Sequence, residues 1–275
     1  MSAGEARAPM AAPVADLSKV MDVSGQTVIV TGAAGGIGLG IATAFAQRGA
    51  NVAIFDLDVA RGTAAAAELR QAGGDHMFVQ CDITERQAVQ RAVDAVHAAF
   101  GHIDVLVNNA GISLVKPFLD MDDDLPEWRK VVDVNLHGTA NVTHAVANKM
   151  RADKQGGLII NISSTGGATC SGAKAMPMAS YSASKAAINH LSRSLAVEFA
   201  EHDIRVNCVM PGPTHSPLDA QLTPEMKDMV SHSILTRRCG EPLEIGALCV
   251  FLASAEGVQL NGLVMPHDGG FLCVH

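Results

Sequence analysis

Val28-Ile29-Val30-Thr31-Gly32-Ala33-Ala34-Gly35-Gly36-Ile37-Gly38 decides how this chain is read. Gln26 to Val30 is a short, largely β-branched run, the pattern of a strand buried on both faces. The glycines predict a tight turn, and the small residues after them predict a helix through Gln47. A strand that ends in a glycine turn and opens a helix is an anion site. Its free backbone N–H groups and the helix dipole face the ligand, and glycine lets a pyrophosphate approach the main chain. The spacing here is G-x3-G-x-G rather than G-x-G-x-x-G. A tight helix–strand crossing also selects glycines, so the turn alone leaves both readings open.

Working outward, Asn51 to Asp56 reads as a second strand with an acid at its carboxyl end. Asp56 stands 18 residues past Gly38, near the separation of about 20 expected for a carboxylate on an adenosine ribose. Such a carboxylate accepts from the ribose hydroxyls and repels a 2′-phosphate, which favours NAD over NADP. Arg61 is the nearest cation, a turn too late to be an obvious phosphate clamp. The competing role for Asp56 is a cap on the alanine-rich helix that follows, expected over 63–71. Gly73-Gly74 breaks that helix, and His76 to Gln80 is a third strand. Asp82 at its end serves either an adenine amino group or the start of the next helix, which runs to Phe100.

Further strands are expected at Ile103–Val107, Gly157–Ile162, Ile204–Val209 and Leu263–Met265, with a helix at Pro242–Ala253. A long helix is expected after the acidic loop that ends near Glu127, with polar Asn135 among its apolar residues and Trp128 as a packing anchor. Strands alternating with helices imply right-handed crossovers. The fold class is therefore α/β: a doubly wound, mostly parallel, seven-stranded Rossmann-type sheet with helices on both faces. Ligands bind beyond the carboxyl ends of such strands, where Gly32, Asp56, Asp82 and Asn109 all fall.

Tyr181 is the only tyrosine, and Lys185 follows it by four within a stretch of helical periodicity. On a helix, positions i and i+4 share a face. A cation there lowers the phenol pKa from about 10 and makes it usable as a general acid or base. An exposed lysine beside a packed tyrosine fits the same spacing.

Composition narrows the class. Apolar residues make up 48% of the 275, enough for a core on both faces of a sheet, and a charged share of 17% argues against disorder. A formal charge of −8 disfavours nucleic-acid or anionic-membrane partners. The six cysteines show no CxxC or zinc spacing and the eleven histidines no HExxH, so no metal is expected and a reduced, cytoplasmic setting is the simplest. Val28 to Ala46 carries no charge, but its five glycines speak for the turn rather than a membrane span. Residues 1–24 are expected as a mobile tail without a secretory signal, and 25–275 as one domain with a small substrate loop or lid near 213–240.

With these residues in order, the chain resembles a short-chain dehydrogenase/reductase over about residues 24 to 271. The markers are Thr31-Gly32…Gly36-Ile37-Gly38, Asn108-Asn109-Ala110-Gly111, Asn135, Ser164, Tyr181…Lys185 and Pro211-Gly212. The resemblance implies an NAD-dependent interconversion of a secondary alcohol and a ketone. Tyr181 then exchanges the proton, and Ser164 steadies the same oxygen. Lys185 lowers the tyrosine pKa and holds the nicotinamide ribose, and Asn135 positions a water linking the lysine to solvent. The implied cofactor site takes in Gly32, Gly36, Ile37, Gly38, Asp56, Leu57, Asp82, Ile83, Asn109, Ala110, Gly111, Tyr181, Lys185, Pro211, Gly212 and Thr214. Partners are a small-molecule alcohol or ketone and, as the family commonly forms, further copies in a homotetramer or homodimer. An NADPH-dependent ketone reductase of 3-oxoacyl type and a non-catalytic cofactor-binding protein are the alternatives.

Two departures stand out. The Ser164–Tyr181 interval is a few residues longer than the family's usual one, placing an insertion within Thr165–Ala179 and leaving Ser163 as a second candidate hydroxyl. His267 stands where the family more often has an aliphatic residue. The pocket is expected along Ser113–Phe118, Thr165–Ala179 and Pro213–Leu235, with Lys116, Lys174 and His215 as its charged or titratable groups.

Overall fold

In the computed structural model, residues 20–170, 177–216 and 223–274 are described. Seven strands form one sheet: β1 (Thr27–Thr31), β2 (Asn51–Asp56), β3 (His76–Gln80), β4 (Val105–Asn108), β5 (Gly157–Ile162), β6 (Ile204–Pro211) and β7 (Val264–His267). Their order is β3-β2-β1-β4-β5-β6-β7, and every pair is parallel. The chain winds outward from β1 to β3, then restarts on the other side of β1 at β4. The strand order reverses at that point, and the reversal opens a crevice beyond the carboxyl ends of β1 and β4.

Among the described residues eight α-helices flank or connect the strands: α1 (Gly36–Gln47), α2 (Val59–Leu69), α3 (Arg86–Phe100), α4 (Pro126–Val132), α5 (Thr139–Asp153), α6 (Ala179–Glu198), α7 (Pro224–His232) and α8 (Pro242–Ala253). The two-residue period of a strand divides the core. Val28, Val30, Val52 and Ile54 pack with α1, α2 and α8, while Ile29, Ala53 and Phe55 pack with α3 and α5. Both sides are buried, which is why these strands read as unbroken apolar runs. Gly40 belongs to this packing rather than to a ligand: a Cβ there would lie 2.4 Å from Pro242, where α1 crosses α8.

Three expectations need correction. The last residues of the expected mobile tail are anchored: Val23 is 1% exposed and the Met21 N–H donates to Glu256, although Val20, Asp22 and Ser24 are exposed. The long helix expected after Glu127 is interrupted. Between α4 and α5 the chain takes a π-helical turn, Asp133–Gly138, which a sequence period of 3.6 does not reveal. The third strand is not followed by a cap from Asp82, because α3 begins at Arg86 with Glu85 as its flanking residue. Residues 1–19, Lys174 with the rest of 171–176, and 217–222 of the expected lid lie outside the described residues. No described helix is long and apolar enough to cross a membrane.

Candidate active site

A cleft of about 800 Å³ runs along the carboxyl edge of the sheet, from Asp56 and Leu57 at one end to Tyr181, Thr214 and Ser216 at the other. The glycine turn forms its floor. Gly32 adopts φ +63° with its Cα face against Ala110, so a side chain fits neither the conformation nor the space. The N-terminus of α1 carries no side-chain cap and no acid in its first turn, leaving its N–H groups open to the cleft.

Asp56 stands at the end of β2. Its carboxylate accepts from the Ala34 N–H at 3.0 Å and the Asp58 N–H at 3.1 Å, while Asp58, not Asp56, caps α2. Asp82 accepts from the N–H and hydroxyl of Thr84, at 2.9 and 2.7 Å. Both carboxylates are thus fixed by residues two positions on, and both line the cleft. The Asn109 amide ties the exit of β4 to the turn by donating to the carbonyls of Thr31 and Gly32. A turn with open N–H groups, a close backbone approach and a carboxylate at the far corner fits a dinucleotide with its pyrophosphate on α1.

At the other end β5 delivers Ser163 and Ser164, and α6 delivers Tyr181 and Lys185. The two serines separate cleanly. Ser163 is buried and donates to the Lys185 carbonyl at 3.0 Å, whereas Ser164 hydrogen-bonds the Tyr181 phenol. Ser164, not Ser163, is therefore the serine hydroxyl paired with the phenol. Lys185 is 5% exposed, its Nζ donates to the Ile162 carbonyl at 2.8 Å, and it lies 5.7 Å from the centre of the Tyr181 ring. Burial lowers the lysine to about 8. The expected lowering of the tyrosine is not found: desolvation raises the phenol, opposed by the Ser164 hydrogen bond, and the ammonium is directed at a carbonyl instead.

Of the residues expected to serve catalysis or the cofactor, Gly38 and Asn135 stand back from the cleft wall, and of the groups expected in the substrate pocket Lys116 and His215 do not line it. Gly38 lies beneath the turn, where a Cβ would come within 2.3 Å of the Gly32 carbonyl. Asn135, 1% exposed, clamps the wall from behind. It accepts from the Ile112 N–H at 2.8 Å and donates to the Ile112 carbonyl and the Ser184 hydroxyl, each at 3.0 Å. The π turn sets it there, behind Gly111 and beside Lys185.

Sequence reasoning missed Arg61, Lys130 and Val134 on the cleft wall. Val134 was within reach, being the residue before Asn135 on the same element. Trp128 meets Phe118 edge-on at 5.8 Å, as a packing anchor does. Lys116 is taken up by an ion pair with Glu127, and His267 is half-buried beside Glu244. Among the described residues no cluster of side chains could hold a metal ion.

Fold and site together define an oxidoreductase working on a bound nicotinamide dinucleotide. Comparison with known proteins agrees. The family described as Enoyl-(Acyl carrier protein) reductase matches residues 32–272. Oxidoreductase UcpA of Escherichia coli (strain K12) is 37% identical over 256 residues, 90% of this chain and 95% of its own. D-threitol dehydrogenase of Mycolicibacterium smegmatis is 35% identical over 250 residues, 90% and 94% of the two chains. The solved structure of 7α-hydroxysteroid dehydrogenase complexed with NADH and 7-oxo glycochenodeoxycholic acid matches with a TM-score of 0.85 at 33% identity, covering 92% of this chain and 96% of that one. The chain belongs to the short-chain dehydrogenase/reductase family.

Proposed function

We propose that this enzyme uses NAD to interconvert a neutral secondary alcohol and its ketone, the alcohol carrying at least one further hydroxyl. The observation that carries the reaction type is the Ser164–Tyr181 hydroxyl pair in the cleft, with Lys185 buried behind it. Asp56 at the opposite end favours NAD, because a 2′-phosphate beside that carboxylate is repelled. The substrate class follows from the lining. Ser113, Thr214 and Ser216 add hydroxyls beyond Ser164, and Lys116 is neutralised by Glu127. Relatives named for threitol and for a hydroxysteroid support a hydroxyl-rich or ring alcohol.

The bound dinucleotide supplies the hydride acceptor or donor; everything else is the chain's own work. The substrate oxygen takes its place between the Tyr181 phenol and the Ser164 hydroxyl. In the oxidative direction Tyr181 accepts the hydroxyl proton, and in the reductive direction it returns a proton to the carbonyl oxygen. Ser164 donates to that oxygen as charge develops on it, and its own Oγ is steadied by the Gly166 N–H at 3.1 Å. Lys185 stands close enough to the ring to favour the phenolate once the proton has left. We assign Asn135 a positioning role, since it fixes both Ile112 and the first turns of α6.

A panel of polyols, alicyclic alcohols and 3-oxoacyl thioesters, followed by NADH or NADPH absorbance, tests this. Turnover of a diol or polyol with NAD is the expected result. Preferential reduction of a thioester ketone by NADPH would overturn both the cofactor and the substrate assignments.

A further inference from the structure

Asn189 stands about two turns past Tyr181 on α6, with both ends of its amide engaged by other elements. Its Nδ2 donates to the Gly167 carbonyl at 3.3 Å and lies 3.7 Å from the Met210 sulfur. Its Oδ1 accepts from the Cys208 thiol at 3.4 Å. Cys208 is fully buried on β6, and burial pushes the thiol up to about 11, so at neutral pH it is a donor rather than a thiolate. A buried donor on one side leaves the amide a single orientation, with its NH2 toward Gly167.

Gly167 ends the short turn Thr165–Gly167 that leads away from Ser164. The turn rests directly on α6: a Cβ at Gly167 would fall 2.7 Å from the Lys185 carbonyl carbon and 2.8 Å from the Ala186 nitrogen. Within the turn the bonds are local, from the Gly167 N–H to the Ser164 carbonyl at 2.9 Å and from the Gly166 N–H to the Ser164 hydroxyl at 3.1 Å. Local bonds set the shape of the turn but not its distance from Tyr181. Two side chains tie it to α6. Ser163 donates to the Lys185 carbonyl before the turn, and Asn189 donates to Gly167 at its end, with Ser164 between the two anchors. The second anchor matters here because the Ser164–Tyr181 interval is longer than the family's usual one, and a longer loop restrains its ends less.

Resting on the Ser164–Tyr181 reading above, we propose that Asn189 is a positioning residue for Ser164: with Cys208 orienting its amide, it pins the turn to α6 and holds the serine hydroxyl on the phenol. Serine and tyrosine are thereby referred to the same helix.

The test uses the single tyrosine. With tyrosine isotope-labelled at Cζ, nuclear magnetic resonance gives one signal, and its position reports the hydrogen bond at the phenol without cofactor or substrate. Ser164→Ala sets the position of an unpaired phenol. Asn189→Leu, close in volume but without either amide group, moves the signal at least about half of that way. Combined with Ser164→Ala it moves the signal no further, since a contact already removed is not lost twice. Cys208→Ser keeps a donor for the amide and stays near the wild type, whereas Cys208→Ala moves partway. On the polyol that the wild type oxidises fastest, Asn189→Leu lowers kcat about ten- to a hundredfold, the scale of a slightly misplaced reacting group, and leaves NADH binding unchanged. Circular dichroism melts show that each variant is folded. A folded Asn189→Leu whose signal stays at the wild-type position, or whose effect adds in full to that of Ser164→Ala, overturns the assignment. A signal unmoved by Ser164→Ala removes the hydroxyl pair and the proposal with it. A wild type that oxidises no alcohol rejects the functional reading instead, and the signal still decides whether Asn189 holds Ser164.

Discussion

The two ends of the cleft are built by different means. At the end proposed for adenosine, both carboxylates accept from near neighbours, Asp56 from the Asp58 N–H and Asp82 from Thr84, with the Ala34 N–H as a second donor to Asp56 from farther along the chain. At the proposed catalytic end Ser164 is also held locally, by the Gly166 N–H, but Lys185 and Asn135 are held across the fold. Lys185 donates to a carbonyl 23 residues away, Asn135 to a hydroxyl 49 away, and behind them Asn108, Asn161 and Ser192 form a buried chain between β4, β5 and α6. One end is therefore sensitive to volume and the other to polarity. Changes to a single atom should separate them.

The largest effect is expected from Tyr181→Phe, which removes one oxygen from the catalytic end. Turnover should fall by about 10³-fold, within the range for loss of a positioned acid–base group, while the NADH dissociation constant moves less than about threefold. Steady-state rates and fluorescence titration check the two halves of that statement. In the wild type, burial holds the phenol protonated, so the oxidation rate should climb with pH as the proton is lost, and that rise should vanish in the variant. A variant that lost NADH binding as steeply as turnover would show that the ends are not separable.

Gly38→Ala is the counterpart at the adenosine end. The added methyl would lie 2.3 Å from the Gly32 carbonyl and 2.5 Å from the Asn109 amide, which itself holds the turn. The turn must lift, so NADH should bind about ten- to a hundredfold more weakly. Stability should fall by about 1–3 kcal/mol, as for overpacking of a close contact. Calorimetry and titration measure both. Unchanged binding would mean that the α1 N-terminus does not meet the pyrophosphate.

The same contrast explains what was legible in the sequence. Gly32, Gly36, Asp56 and Asp82 were readable because strand ends and glycine turns are local patterns, Ile37, Leu57 and Ile83 followed from the family resemblance, and the cleft is lined by all of them. The choice of Ser164 over Ser163 was harder. Adjacent residues at the end of a strand face opposite ways, but only the packed position of Lys185 decides which of them is inside. The π turn at Asp133–Gly138 was invisible because it inserts one residue into an otherwise helical pattern. The tyrosine's raised pKa was missed for a related reason. Helical spacing places an ammonium near a phenol, yet it reveals neither the depth of burial nor the Ile162 carbonyl that takes the ammonium's hydrogen bond.

Lys185→Met is the smallest expected effect at neutral pH and the one that most sharpens the contrast. Burial lowers the lysine from 10.5 to about 8, so the folded chain gives up this proton more readily than the unfolded chain. Below about pH 8 the buried ammonium destabilises the fold by its full amount, on the order of 3 kcal/mol, and the penalty fades as pH rises toward the unfolded value. Methionine removes that penalty but leaves the Ile162 carbonyl without its donor, a loss of about 1–3 kcal/mol that opposes the gain. The two proteins should therefore melt within a few degrees of each other at pH 7, and the wild type should gain on the variant between pH 8 and 10. Gly38→Ala acts through volume, so its deficit against the wild type should stay flat over the same range. A flat difference for Lys185→Met as well would mean that the lysine titrates as in water, and the catalytic end would lose the buried charge that distinguishes it from the adenosine end.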